Sequence, residues 1–476
     1  MGNRHKFSAD ITSFHQNVSG SCTLISVHCP KEKINFLVDF GLFQREEESK
    51  KEDKNYEKLP FNPQNVNFVI LTHNHADHVG RVPLLYKNGY FGKVYATHDT
   101  KKMMFLSLED NQKIIEINAK KENKKPLYNE FDKQHTLENI ITYDFCETFT
   151  PHEGVKVTFL KNAHLIGAAL ILVQLSCEGY DDINLLFTGD YKEHNVFFET
   201  PKFVPEWISK LPRLHIICES TYGVIDSSDN EYVFEDNIFK WLKQGKQTIL
   251  IPALSLGRFQ EIAYTLKTMQ EKGIIDKNIP IRFDGSLAIK YNNLYKYSLN
   301  ISENMKDFMP YNYMYVDNAI RNNIIASENT QIIVTTSGMG SFGPAQEYIP
   351  KLIERDNVGI HFTSYVAEGT LGYKLLKHKN DEFVTINSVV KENKAEIATT
   401  REFSSHAKRD ELVNFIKQFE NVRTVLINHG EVSVKEKFAN YCKHNLKNTK
   451  DIAILGTGYT IRLNTWGIVK SIYEKY

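Results

Sequence analysis

The stretch Phe68-Val69-Ile70-Leu71-Thr72-His73-Asn74-His75-Ala76-Asp77-His78 runs an apolar segment straight into three imidazoles and a carboxylate. Its apolar half predicts a short buried strand, since a compact apolar run bounded by polar residues suits a strand covered on both faces. Its polar half predicts a metal site. Neutral imidazole nitrogen and carboxylate oxygen are ligands that borderline divalent ions such as zinc prefer, and a protein rarely crowds so many unless a cation offsets their repulsion. A histidine-rich surface loop is the plainer alternative.

The same punctuation recurs along the chain. Ile34 to Val38 ends in Asp39, Val155 to Leu160 leads to His164, and Ile183 to Phe187 leads through Thr188-Gly189 to Asp190. Leu214 to Cys218 ends in Glu219, Ala395 to Ala398 leads to His406, and Val422 to Asn428 ends in His429-Gly430-Glu431. Helical periodicity fills the intervals at Asp99 to Lys120, Glu231 to Lys243, Arg258 to Lys272, Pro344 to Glu354 and Lys408 to Glu420. Alternating strand and helix predict an α/β fold, in which chemistry gathers in the loops leaving the carboxyl ends of strands. Singly, an Asp or His after a strand is more often a turn former or helix cap. Their coincidence with the dense cluster argues for convergence.

At 476 residues the chain exceeds one compact core, and two or three domains are expected. It is 41% hydrophobic and 24% charged, with 58 basic against 58 acidic side chains, so disorder and a basic surplus for coating nucleic acid are both excluded. Any nucleic-acid contact must be local. Cys22, Cys29, Cys146, Cys177, Cys218 and Cys442 include no C-x-x-C pair, which argues against a thiolate metal site and predicts small buried hydrophobes in a reducing, cytoplasmic setting. No apolar signal core or membrane-length run appears, so no membrane partner is expected. Asn300 to Asn329, rich in Asn, Tyr and Met, gives no clear pattern.

Together these residues resemble the metallo-β-lactamase superfamily and, within it, the β-CASP nucleases. VDFGLFQ around Asp39, THNHADH around His73, NAHLIGAA around His164 and TGDY around Asp190 resemble the four metallo-β-lactamase motifs. CESTYG at Glu219, FSSHAKRDEL at His406 and INHGE at His429 resemble β-CASP motifs A, B and C. PALSLGRFQE, TTSGMG and SYVAEGTLG resemble segments of the branch that processes RNA 3′ ends, although Ser341-Phe342-Gly343 replaces a second Gly pair and Lys192-Glu193 stands where an Arg is usual. The resemblance implies an αββα metallo-β-lactamase sandwich in two parts, residues 1–203 and 392–476, with a β-CASP domain inserted at 204–391.

By the same resemblance, His73, His75 and His164 would hold one zinc, Asp77, His78 and His429 a second, and Asp190 would bridge them. Manganese or iron could take the same ligands, since His and Asp serve all three. His406 would be the general acid, oriented by Glu219, and Asp39 would fix a ligand imidazole from behind. Arg258, Ser337 and Tyr365 are candidate phosphate or sugar contacts. The implied activity is hydrolysis of single-stranded RNA, endonucleolytic and also 5′ exonucleolytic, with a homodimer as the assembly relatives suggest. A hydrolase of another ester or phosphodiester and a non-catalytic RNA-processing subunit are the alternatives.

Overall fold

The apolar runs that end in ionisable residues are strands in the computed structural model, which describes residues 6–15, 17–43, 53–198, 204–228, 232–364, 366, 368–378 and 382–473. Ile183–Phe187 and Leu214–Cys218 keep the bounds expected of them, while Glu32–Val38 and Val155–Lys161 extend by a residue or two. The helices His98–Lys121, Phe234–Lys243, Arg258–Glu271, Ala345–Leu352 and Arg409–Ile416 fill the periodic segments.

The chain separates into two compact units. The first, residues 1–45, 51–227 and 406–476, contains two sheets. An eight-stranded sheet runs in the order Gly467–Tyr473, Tyr459–Asn464, Ser8–Ser13, Thr23–Cys29, Glu32–Val38, Phe68–Ile70, Lys93–Thr97, Ile140–Tyr143. A seven-stranded sheet runs Asp451–Ile454, Val422–Ile427, Leu214–Cys218, Ile183–Phe187, Ala169–Leu175, Val155–Lys161, Thr148–His152.

Strand alternation explains the layering. Ile171, Val173, Leu185 and Phe187 share one core with Ile25, Val27, Phe36 and Phe68 of the other sheet, where the Phe36 and Phe68 rings stack at 4.8 Å. Their chain neighbours Leu170, Leu172 and Leu186 point the other way and pack with Leu412, Val413 and Phe438 from the helices Arg409–Ile416 and Val432–Asn445. On the opposite outer face, Leu37, Val69 and Val94 pack with Leu84, Leu85, Met104 and Leu108. The result is an αββα sandwich of two sheets with helices on both outer faces.

The second unit, within residues 228–405, is built on a six-stranded sheet ordered Tyr313–Tyr315, Ile281–Asp284, Gln331–Thr335, Thr248–Pro252, Val358–Phe362, Glu396–Thr399. All its pairings are parallel, with helices between successive strands. The segment without a clear pattern holds the short edge strand Tyr313–Tyr315 and the helix Asn318–Ala326, which Asp317 caps by accepting from the amides of Ala319 and Ile320. These bounds differ from the expected divisions at 203/204 and 391/392. Leu214–Cys218 is hydrogen-bonded between Ile183–Phe187 and Val422–Ile427, so its neighbourhood stays with the first unit. Glu396–Thr399 pairs with Val358–Phe362 and so belongs to the second.

The cysteines require a correction. Cys22, Cys218 and Cys442 are free and buried as expected, but Cys146 is exposed and Cys29 is joined to Cys177. The bonded pair is 148 residues apart in sequence, yet Cys29 ends one strand and Cys177 follows another in the facing sheet, which brings their Cα atoms to 6.2 Å. Sequence spacing could not show that juxtaposition. Closing so long a loop restricts the unfolded chain, and Cys29→Ser is expected to lower the unfolding free energy by about 3–5 kcal/mol. Guanidinium denaturation with and without reductant checks this: a midpoint insensitive to both changes would contradict it.

A second tie joins the two ends of the chain. On the strand Ser8–Ser13, Asp10 accepts from Arg462 Nε at 2.6 Å, Arg462 Nη2 at 2.7 Å and His28 Nε2 at 2.8 Å. Burial works to raise its pKa, but Arg462 and His28 outweigh it and hold the carboxyl at about 2. A folded pKa below the unfolded value contributes stability that is present above about pH 4 and lost as pH falls towards 2. Asp10→Asn should therefore destabilise at neutral pH, with the difference from wild type shrinking across that window in urea titrations. A constant difference down to pH 2 would contradict the assignment.

Candidate metal centre

Several loops of the first unit meet at one end of the sandwich. The first follows Glu32–Val38, where Asp39 takes a left-handed backbone, φ 60°, a conformation Asp tolerates better than most residues. Its carboxylate accepts from the Thr72 amide at 2.8 Å, Thr72 Oγ1 at 2.7 Å and His78 Nδ1 at 2.8 Å. A carboxylate on one ring nitrogen leaves His78 Nε2 as the free lone-pair site.

The second loop, His75 to Arg81, is fastened to the first by backbone bonds. Phe40 N donates to His78 O at 2.7 Å, Leu42 N to Ala76 O at 2.8 Å, and Ser21 N to Asp77 O at 2.8 Å. The approach is so close that a Cβ on Gly41 would stand 1.6 Å from the Asp77 carbonyl, so only glycine fits there. Arg81 Nε donates to Gly41 O, and its guanidinium lies between the Phe40 and Phe43 rings at 4.4 and 4.3 Å.

The third and fourth loops carry His164 and Asp190, and one amide joins them. Asn162 Nδ2 donates to Thr188 O at 3.1 Å and Asp190 O at 2.6 Å, while Oδ1 accepts from His164 N at 3.0 Å and Lys192 N at 3.2 Å. Both donors and both acceptor positions of the side chain are used.

Potential ligand atoms of His73, His75, His164 and Asp190 fall within 4.8 Å of one another, as do those of Asp77, His78 and His429. His75 Nδ1 is 3.1 Å from both His73 Nε2 and His164 Nε2. Tetrahedral zinc with Zn–N near 2.0–2.1 Å has ligand edges of about 3.3 Å, so the spacing suits that ion. Burial holds His73 well below its ordinary pKa and His75 at about 4, which leaves their lone pairs unprotonated.

Asp190 faces both groups. Its Oδ2 lies 3.6 Å from His73 Nε2 and 3.7 Å from His164 Nε2, and its Oδ1 lies 3.4 Å from His78 Nε2 and 3.3 Å from His429 Nδ1. Among the described residues, Asp190 Oδ1, His78 Nε2 and His429 Nε2 are buried with no well-aligned hydrogen-bond partner, a costly state that a bound cation would relieve. The donor set therefore fits two metal ions with a shared carboxylate.

Beside it stands a histidine–carboxylate pair. His406 Nδ1 lies 3.1 and 3.0 Å from the two oxygens of Glu219, and His406 Nε2 is 3.8 Å from Asp190 Oδ2. Glu219 is fixed in turn, accepting from Tyr191 N at 2.6 Å and Thr221 N at 3.2 Å. Burial pulls the His406 pKa down, but the Glu219 and Asp190 carboxylates win and raise it to about 9. Its side chain keeps 20% exposure, so a substrate can reach it.

None of the three candidate substrate contacts is among the described residues of the first unit. Arg258 begins the helix Arg258–Glu271 in the second unit, buried and 3.2 Å from Glu261 Oε2. Ser337, also in the second unit, follows the strand Gln331–Thr335 and accepts from Phe342 N at 3.3 Å. Tyr365 lies outside the described residues. Conversely, Asn162 and the buried His15, which meets the loop of His429, stand out only in three dimensions. Asn162 lies two residues from a ligand in the sequence, a faint signal; His15 offered none.

Comparison with known proteins agrees with this geometry. Residues 16–166 match the model of the metallo-beta-lactamase superfamily, 259–375 that of the Beta-Casp domain, and 392–454 that of the Zn-dependent metallo-hydrolase RNA specificity domain. The chain belongs to the metallo-β-lactamase superfamily, in its β-CASP family. It is 30% identical to Transcription termination factor FttA of Methanococcus maripaludis over 85% of this chain and 64% of that protein. It is 29% identical to the protein of that name from Methanocaldococcus jannaschii over 91% of this chain and 68% of the other. The chain thus spans about two thirds of the length of these relatives. A crystal structure of a protein of unknown function from Enterococcus faecalis shares the fold at 13% identity, TM-score 0.56, covering 96% of this chain and 100% of that one.

Proposed function

We propose that this protein is a two-zinc hydrolase of single-stranded RNA, cutting phosphodiester bonds internally and also from 5′ ends. The observation that carries the reading is Asp190, whose two oxygens face separate ligand groups while His406 stands 3.8 Å away with Glu219 behind it. Bound there, zinc ions would polarise the phosphate and supply a nucleophile at neutral pH. The chain's own residues supply the rest. His406, protonated through neutral pH, presents Nε2 towards the centre and delivers a proton to the departing oxygen. Glu219 accepts the Nδ1 proton and keeps the imidazolium oriented. Asp39 fixes the tautomer of His78, and Asn162 fixes the distance between the His164 and Asp190 loops.

An RNA substrate is supported by the match to a Zn-dependent metallo-hydrolase RNA specificity domain and by relatives named transcription termination factors, which make nascent transcripts the proposed target. No described helix is long and apolar enough to cross a membrane. With one disulfide formed, the cysteines no longer argue for a reducing compartment, and the proposed cytoplasmic setting rests on the RNA substrate.

The test uses end-labelled single-stranded RNA and DNA of matched sequence with zinc or manganese. RNA should be cut and DNA spared; equal cleavage of both, or of neither, would overturn the proposal. Internal fragments would register endonucleolytic action and released 5′ nucleotides the exonucleolytic one.

A further inference from the structure

We infer that His15 is a positioning residue for the second metal site, acting through the backbone of His429; this rests on the two-metal reading. His429 takes a left-handed backbone, φ 38°, which residues with a side chain adopt only when their surroundings hold them there. Four hydrogen bonds do so. The His429 carbonyl accepts from Ser220 N at 2.8 Å and Ser220 Oγ at 3.2 Å. The next residue, Gly430, donates its amide to Asn17 O at 2.9 Å. The His429 amide itself donates to His15 Nε2 at 3.2 Å.

His15 is held firmly in place for that contact. Its ring is 1% exposed, and its other nitrogen, Nδ1, lies 3.1 Å from Ser13 Oγ. Its backbone carbonyl accepts from Thr457 Oγ1 at 2.7 Å, so the residue is held from both sides. With Nε2 accepting, the ring proton sits on Nδ1, beside Ser13, and the Cys22 backbone also hydrogen-bonds the ring. The centroids of the His15 and His429 rings are 5.9 Å apart, and His15 belongs to neither proposed ligand group.

The peptide plane before His429 sets the direction of its Cα–Cβ bond, and hence whether its ring reaches Asp77 and His78. An apolar side chain at position 15 leaves the buried His429 amide without an acceptor, and the peptide must turn to find another. That movement takes the His429 ring off the second site and leaves His73, His75 and His164 untouched.

The test is an ion count by native mass spectrometry across a zinc titration, for wild type, His15→Leu and His15→Gln. Wild type should hold two ions. His15→Leu should keep the first and bind the second about 10- to 100-fold more weakly. His15→Gln should recover it, because the glutamine amide oxygen reaches the position of Nε2. Should His15→Leu fail to fold, His15→Asn serves in its place: its shorter amide can meet Ser13 but falls short of the His429 amide. Unchanged second-site affinity in the folded variant, or equal loss of both ions with no recovery in His15→Gln, would overturn the inference while leaving the two-metal reading intact. Fewer than two ions in wild type would overturn that reading, and the inference with it.

Discussion

His406→Ala is expected to lower kcat for RNA cleavage by about 10²- to 10⁴-fold, the usual contribution of a positioned general acid, while both metal ions stay bound. The separation of the two effects is the informative part. His406 Nε2 is 3.8 Å from Asp190, and Asp190, Glu219 and His406 also stand close enough to hold an ion, but the groups assigned to the two ions, His73/His75/His164/Asp190 and Asp77/His78/His429, do not include it. KM should change little, because the lost interaction is made with the leaving oxygen as its bond breaks. Glu219→Gln supplies a companion result. Glu219 and Asp190 raise the His406 pKa against the pull of burial, so removing the Glu219 charge lets it fall. The proton on His406 is then lost at lower pH, and the alkaline limb of the kcat profile should move to lower pH. Single-turnover cleavage over a pH series, with elemental analysis of each variant, checks both. Loss of metal in His406→Ala, or an unmoved limb in Glu219→Gln, would contradict the roles of acid and orienting carboxylate.

Asp190→Asn should have a larger effect: activity reduced at least about 10³-fold, and metal content below two ions per chain. Asparagine preserves the volume of the side chain and the backbone carbonyl that accepts from Asn162, so the loop should hold. What disappears is a negative charge facing His73, His78, His164 and His429. Several kcal/mol of transition-state stabilisation by paired ions goes with it. Elemental analysis beside a rate measurement reads both quantities. Two ions retained at full activity would show that Asp190 does not bridge.

Much of the sandwich is legible in the sequence because its buried strands are continuous apolar runs ending in turn residues. Ile183–Phe187 and Leu214–Cys218 could be bounded to the residue, since every side chain in them is buried. The ligand groups are legible for a related reason: metal-binding residue types cluster densely at His73 to His78, and that density directs attention to His164, Asp190 and His429. What the sequence hides is contact between distant segments that carry no local pattern. Cys29 and Cys177 are each unremarkable until two sheets face one another. His15 is an ordinary histidine after a strand until the loop of His429 folds over it. Arg258, an arginine next to a glycine, suggests a phosphate contact in the sequence, and only the fold shows that it also pairs with Glu261 one helical turn on. The limits of the compact units are hidden similarly, because strand order in the sheets, not composition, places Leu214–Cys218 in the first unit and Glu396–Thr399 in the second.

Counting the metal ions bound per chain, by native mass spectrometry of protein purified without chelators, decides whether Asp190 stands between two ions. Two ions per chain is the predicted result, with one remaining when His429 is replaced by alanine in a folded chain. One ion or none in the wild type would contradict the account.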